Sequence, residues 1–494
     1  MKRILILILG IIPLFLQAAT YYLDAENGND NNNGLTELSA WQTFKNVNTK
    51  QLLSGDTILL KRGTVFEGVL ELNGEGSFIN PIVIAAYGTG DKPVVNAPDN
   101  SLYAIRVFNS SYLILSDLEI VNHGSSDLAT RTGVKLESID YGTSKSVILR
   151  SLDIRDVNGS LVKEAGGGSG ILIQSRGETK PSNFDGLIIE HCTITNCQRN
   201  AMIWNAHWQR DERWFPSTNT IVRNNLIRGV PGDGIVPIGC VNTLIEFNKM
   251  MDCPSTLPKT EAAAGFWPWS CDNTTIQFNE VSDHKAPWDA QGFDSDYNCT
   301  NTTIQYNYSH HNDGGFVLIC NSGESTEQIG NIGTLVQYNL SINDGQRTKP
   351  TRIGMFSPSI HIAGPVKQTT IFRNLIFAGN KLTQDTHRSM ITADSWGGFA
   401  NQTKILENEF ISTEPSNIDL QKSTDNLLKE NRFYGSYANT DSLKTNNVFK
   451  LKEKNITPNQ LKEKFLKTKR IANGKATISY IDRVAIEDYF NSKR

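Results

Sequence analysis

Past residue 20 the chain has no apolar run long enough to cross a bilayer as a helix, and nowhere does it carry a basic tract. Its formal charge is only −3, and −5 once Lys2 and Arg3 leave with a leader, which argues against nucleic acid as a partner. GxSxG, HExxH and the dinucleotide fingerprint are missing. The glycine run from Gly166 to Gly170 is followed by no GKS or GKT and by no helix signal, so it reads as a turn. Cysteine is absent before Cys192 and after Cys320. The seven in between form no CxxC and have no His partner at zinc-site intervals, which argues against metal capture by thiolates. Cys192/Cys197, Cys240/Cys253 and Cys271/Cys299 are conceivable disulfides. Cysteines stacked on successive turns of a repeat are the preferred reading.

At the N-terminus, Lys2 and Arg3, the apolar stretch Ile4 to Leu16, and Ala18 with Ala19 have the order of a signal peptide over residues 1–19. The expected product is a secreted or periplasmic monomer that meets no membrane after cleavage. A retained anchor is the alternative.

A phrase recurs along the chain: TIVRNN ending at Asn225, TLIEFN at Asn248, TTIQFN at Asn279, TTIQYN at Asn307, TLVQYN at Asn339, TTIFRN at Asn374 and TKILEN at Asn408. Weaker copies lie around Asp117, Ser151 and Cys192, and successive anchors are 23 to 41 residues apart. Each phrase alternates apolar and polar residues as a short strand does, and none has a helical period. One such turn cannot bury its apolar face, but a stack can. The prediction is an all-β, right-handed parallel β-helix of about ten coils over 20–449, with the repeated Asn forming a ladder at one corner. Residues 450–494 are expected to cap the open end. There Thr457 reads as a helix N-cap and Pro458 as the first helical residue of ITPNQLKEKFLKTKR.

The opening YYLDAENGNDNNNGLTELSAWQTFKNVN, then GDTILLKRGTVFEGVLEL and NPIVIAAYG, resembles the start of β-helix proteins of the pectate-lyase-like superfamily. Ala40 stands where a proline commonly precedes the Trp of that phrase. The resemblance covers Tyr21 to about Ile411 and implies a carbohydrate-active protein, either a glycoside hydrolase or a polysaccharide lyase. The block from Gly265 to Asn321 resembles an uncharacterised subgroup.

Aligning the strands that begin GILIQSR, AMIWNAH, GIVPIGC, GFWPWSC, GFDSDYN and GFVLICN predicts which residues face in, because alternate strand residues point to opposite faces. Ile171, Met202, Ile235, Phe266, Phe293 and Phe316 then point inward, and so, two residues further on, do Ile173, Trp204, Pro237, Pro268, Ser295 and Leu318. Leu172, Ile203, Val236, Trp267, Asp294 and Val317 form one outward row, and Gln174, Asn205, Ile238, Trp269, Asp296 and Ile319 the next. Two carboxylates beside two indoles suit a sugar, whose ring stacks on aromatics while the acids move protons. Asp294 and Asp296 are the predicted catalytic pair, with Asp289, Asp233 and Asp313 as further carboxylate candidates. Trp267, Trp269, Asn205, His207 and His310 are the candidate substrate contacts. For His310 a purely structural role is preferred. The loop HWQRDERWFPSTN is expected either to wall the groove, with Arg210 or Arg213 meeting an acidic sugar, or to be a plain surface loop.

The hydrolase reading needs no cofactor. The alternative is a Ca²⁺-dependent lyase, or a glycan binder with a structural Ca²⁺, in which Asp294, Asp296 and Asp289 hold the ion. The resemblance implies a Lys or Arg base for a lyase. Lys285 and the later group Arg347, Lys349 and Arg352 are the cations nearest in sequence.

Overall fold

The computed structural model describes residues 18–323, 329–351, 353–384, 388–438, 440–450 and 455–493. Residues 1–17, most of the stretch expected to be a signal peptide, and Arg352 therefore lie outside the described residues. The chain coils into three parallel faces. Two are continuous sheets of 14 strands, from Thr20–Leu23 to Leu427–Lys429 and from Val65–Glu67 to Val448–Lys450. The third face is split into two six-stranded sheets. The stack is longer than the repeated phrase marks, because the coils before residue 110 pair in the same way without carrying the Asn.

In each copy of the phrase the middle residue points into the core. Val222, Ile245, Ile276, Ile304, Val336, Ile371 and Ile405 are fully buried and pair coil to coil, as Ile276 does with Ile304 and Ile304 with Val336. Two residues further on the chain takes a left-handed backbone, with φ of 54° at Phe247, 56° at Phe278, 54° at Tyr306 and 55° at Tyr338. That turn sends the following Asn inward. Asn307 Nδ2 donates to Asn339 Oδ1 at 3.1 Å and to Ile276 O at 2.9 Å, while its Oδ1 accepts from Asn279 N and Nδ2, both at 3.0 Å. The same pattern links Asn225 to Asn248, and it continues past the last recognisable phrase to Asn431 and Asn447. Each buried amide is therefore satisfied by its neighbours. Asn307→Ala leaves several of these groups unpaired at once. It should cost about 2–4 kcal/mol, read as a lower thermal midpoint, whereas Ala at exposed Asn100 should cost little.

All seven cysteines are buried and unbridged. Cys240 N–H points at Cys271 Sγ at 3.4 Å, so these residues stack as expected rather than pair. Burial pushes the Cys192 and Cys197 thiols up to about 12, and neither is poised to react.

The tail starts as the sequence predicts. Pro458–Phe465 is a helix whose N-cap Thr457 and Gln460 form a reciprocal capping box. It ends earlier than expected, because Leu466–Ile471 leaves the helix to pair antiparallel with Ala476–Ile481. A second helix, Arg483–Asn491, follows. Its position also departs from the expectation of a lid over the open end. The tail runs along the flank, from Tyr489 Oη on Glu409 at 2.5 Å to Lys475 Nζ on Asp153 at 3.2 Å. The reason lies in the corner turn. Its left-handed residues are aromatic and stack outside as Phe247, Phe278, Tyr306 and Tyr338, with ring centroids 5.1 to 5.5 Å apart. Tyr480 and Phe490 cover this apolar stripe.

Candidate active site

The site lies where the third face is interrupted. Pairing is regular up to Ile235–Val236 and resumes at Phe293–Ser295, and between them only single bridges join Ile235 to Phe266 and Phe266 to Phe293. Pro237 and Pro268 occupy this gap. Neither can donate to a ladder, although each still accepts through its carbonyl, from Trp269 N at 2.9 Å and Asp296 N at 3.2 Å. The alternation survives the gap. Phe293 and Ser295 face the core, while Asp294 and Asp296 face outward beside Trp267 and Trp269.

The predicted register fails one coil later. Asp294 pairs with Leu318, not with Val317, and Val317 and Ile319 belong to the core. Phe316 N and Val317 N both donate to Ser359 O, at 2.8 and 3.2 Å, so one residue is absorbed in a bulge and both side chains turn inward. Gly315 permits this, since a Cβ there would lie 1.9 Å from Pro358 O. The outward rows thus continue as Leu318, His361 and Thr392, and as Cys320, Ala363 and Asp394.

Outward here does not mean exposed. Asp294 is only 4 % exposed, and Asp296 and Asp289 are half-buried. Burial, with Asp296 and Asp289 close by, holds the Asp294 carboxyl well above the usual carboxylate range, and its Oδ1 has no hydrogen-bond partner. Burial together with Asp296 and Asp233 pushes Asp289 up to about 7. Asp296 is also raised by burial, but three groups favour its anion. Tyr297 N donates to its Oδ1 at 2.6 Å, the Cys320 thiol donates at 3.1 Å, and the Lys163 ammonium faces it. Lys163 reaches over the indoles, 5.4 Å from the centre of Trp267 and 5.9 Å from that of Trp269. Its loop is pinned by Lys163 N donating to Glu261 Oε2 at 2.9 Å.

Asp289 and Ala290 both have left-handed backbones, with φ of 59° and 66°. Ala there is strained, and fully buried Arg347 clamps the turn through Ala286 O, Pro287 O and Asp289 O at 2.9, 3.1 and 2.9 Å. Next to Asp289, a recess is lined by Trp288, Gln291, Phe356, His361 and Trp396. His361 Nε2 lies 3.0 Å from Asp394 Oδ1. Gln291 Oε1 and Trp269 Nε1 are buried without a protein partner, polar atoms of the kind a bound sugar satisfies.

The other candidates are placed differently. Asp233 is fully buried and bonded to Arg199 at 2.6 Å. Its Oδ1 accepts from Trp267 Nε1 and Ala264 N, both at 3.0 Å, so it sets the indole rather than meeting solvent. Burial alone would raise the Asp233 pKa, but Arg199 and Lys163 outweigh it and hold the group below its ordinary value. Asp313 is turned away to Lys285 at 2.8 Å. His310 lies on the second face, stacked on Tyr308 at 4.3 Å and bonded to Glu280 at 3.3 Å, and not on the face that carries Asp294 and Asp296. Asn205 and His207 line a neighbouring hollow of about 380 Å³ with Arg176 and Trp208. Trp208 joins it to the site by packing on Trp269 at 5.5 Å. Arg210 is held bidentately by Asp272 at 2.9 Å under Trp214, and Arg213 pairs with Asp211.

Sequence reasoning missed Lys163, Gln291, Cys320, His361 and Asp394. The last three become visible if the strand alignment is carried two coils further and the bulge is counted. Nothing in the sequence brings Lys163 to the indoles, because it arrives on an inserted loop.

Comparison with known proteins bears on the fold. The family model described as the right handed beta helix region matches residues 169–334. The chain is a right-handed β-helix protein. It is 27 % identical over 525 residues to a lacto-N-biosidase of Bifidobacterium longum subsp. longum, covering 87 % of this chain but only 31 % of that protein. A crystal structure of a GH136 lacto-N-biosidase from Eubacterium ramulus superposes with a TM-score of 0.59 at 25 % identity, over 73 % of this chain and 64 % of that one. The chain therefore spans about a third of the curated relative it matches. A PL6 family alginate lyase shares the fold, with a TM-score of 0.50 at 11 % identity over 90 % of this chain and 55 % of that one.

Proposed function

We propose that this β-helix protein is an exported glycoside hydrolase acting on an oligosaccharide laid across the third face. The observation that carries the reading is the Asp289, Asp294 and Asp296 cluster, in which one carboxyl titrates near neutrality beside carboxyls of different affinity for a proton. A glycosidase needs one acid that holds its proton and one carboxylate that does not. Asp289, at about 7, fills the first role, protonating the glycosidic oxygen that leaves. Asp296 fills the second as nucleophile or base, with its anion favoured by Tyr297 N, the Cys320 thiol and Lys163. Buried Asp294 stays protonated between them and supplies a hydrogen bond to the sugar. Trp269 and Trp208 offer the apolar surface for pyranose rings.

A lyase would need a free cation at the sugar C5. Arg347 is committed to three backbone carbonyls, Lys285 to Asp313 and His311 O, and Lys349 reaches Ser255 Oγ, while Lys163, the cation over the indoles, faces the Asp296 carboxylate. Calcium also fits poorly here, because the ligand atoms that converge are those of Asp294, Asp296 and Cys320, and a thiol is a poor calcium ligand.

The names of the relatives point to glycans that carry lacto-N-biose as the substrate. A chromogenic lacto-N-bioside and a panel of oligosaccharides, followed by reducing ends and ultraviolet absorbance, test the reading. We expect reducing ends without an absorbing unsaturated product, and no loss of rate in chelator. Release of an unsaturated uronate, or inertness to every β-linked oligosaccharide tried, would overturn it.

A further inference from the structure

The thiol in the acid cluster has a use that sugar hydrolysis does not require. Cys320 Sγ, an Asp294 oxygen and an Asp296 oxygen lie within 4.8 Å of one another, and Cys320 Sγ is 3.1 Å from Asp296 Oδ1. Asp294, 4 % exposed, presents an oxygen with no partner. Ligand atoms around a tetrahedral zinc ion are separated by about 3.5 Å, so sub-ångström shifts would close this set on a metal.

We propose that Asp294, Asp296 and Cys320 form a binding site for a thiophilic divalent cation of the zinc type, which blocks the face on which the sugar reacts. Zinc takes sulfur and oxygen in fours and leaves its fourth position here to water. Calcium asks for six to eight oxygens, which this corner does not offer. The charge balance favours a cation. Once the metal displaces the Asp294 proton, Asp294 and Asp296 bring two negative charges against the Lys163 ammonium that faces Asp296, while Asp233 is already matched by Arg199. Leu318, Ala363, Tyr297 and Trp396 pack about Cys320 and keep its side of the site dry. Half-buried Asp296 is the way in.

Binding replaces the thiol proton and the proton held on Asp294, so two protons are released as the metal–sulfur and metal–oxygen bonds form. Affinity therefore rises with pH, through Cys320 and Asp294 and against the charges of Asp289, Asp233, Asp296 and Lys163. The site itself does not depend on the hydrolase reading; only the inhibitory consequence rests on it.

Cobalt(II) added to the full chain tests the site without any turnover. One equivalent should give a thiolate charge-transfer band in the near ultraviolet that zinc displaces and calcium does not. Calorimetry should give a zinc Kd of about 10⁻⁶ M or tighter near about pH 7.5, weakening at least about tenfold per pH unit on acidification. Cys320→Ser should abolish the band, and Asp294→Asn should weaken zinc by about 10-fold or more while keeping sulfur ligation. In an active preparation, zinc should inhibit competitively and substrate should protect. A band that survives Cys320→Ser would place the metal on one of the other six cysteines, and its absence from the unmodified protein would deny the sulfur bond. Displacement of cobalt by calcium would make this an oxygen site. Each of these results overturns the proposal, and none of them bears on whether the protein cleaves a glycoside.

Discussion

Asp296→Asn and Asp289→Asn should each lower kcat/KM on the cognate glycoside by about 10³-fold or more while leaving the coil intact. Each change removes one half of an acid–base division that the cluster sets up by unequal surroundings. The two should differ in what survives. A substrate with a good leaving group needs little protonation, so Asp289→Asn should recover much of its rate on an activated aryl glycoside, while Asp296→Asn should not. Equal rescue of both, or full activity in either, would refute the assignment. The rate of the unmodified protein should fall as pH rises through about 7, where Asp289 loses its proton. The same group has a stability signature. Its folded pKa of about 7 lies above its ordinary 3.8, so its stabilising contribution is complete below the lower value and disappears as pH rises through the upper one. Asp289→Asn should flatten the thermal midpoint against pH across that window, which differential scanning measures directly.

Arg199→Met should cost about 3–5 kcal/mol, the largest stability effect expected of a single change near the site. Arg199 and Asp233 are both fully buried and 2.6 Å apart, so removing the guanidinium strands a carboxylate in the interior. That carboxylate also accepts from Trp267 Nε1 and Ala264 N, and it would have to shift or take up a proton. The loss should therefore be smaller below about pH 5, where protonation is cheap, and smaller in the double variant Arg199→Met with Asp233→Asn. Denaturant titrations at two pH values measure both effects. A loss below about 1 kcal/mol would show that the pair is not what holds this corner. Activity should fall as well, because Trp267 is fixed through Asp233.

The repeated phrase made the architecture legible because a solenoid is nearly one-dimensional. Each coil meets mainly its neighbours, so a 23- to 41-residue spacing of alternating strands with one Asn per turn dictates both the stack and its ladder. Thr457 and Pro458 marked their helix because capping is a local matter. The outward placement of Asp294 and Asp296 was also readable, since strand alternation carries through even where prolines break the pairing.

Local rules ceased to suffice wherever one residue or one loop changed the company a side chain keeps. A bulge at Phe316–Val317 moved the next coil by one position and so delivered Cys320 and His361, not Val317 and Ile319, to the site. Asp233 and Asp313 carry the same carboxylate as Asp289, but Arg199 and Lys285 neutralise them, while Asp289 is left among other acids. His310 fell on another face, and the tail lay along the flank because an aromatic stripe there needed covering. The sequence by itself determined the coil, the ladder and the acidic row, since these follow from periodicity and from chemistry within a few residues. Only the tertiary structure decided which carboxyl holds a proton, because burial and charge at a point are sums over segments as distant as Lys163, Asp296 and Arg347.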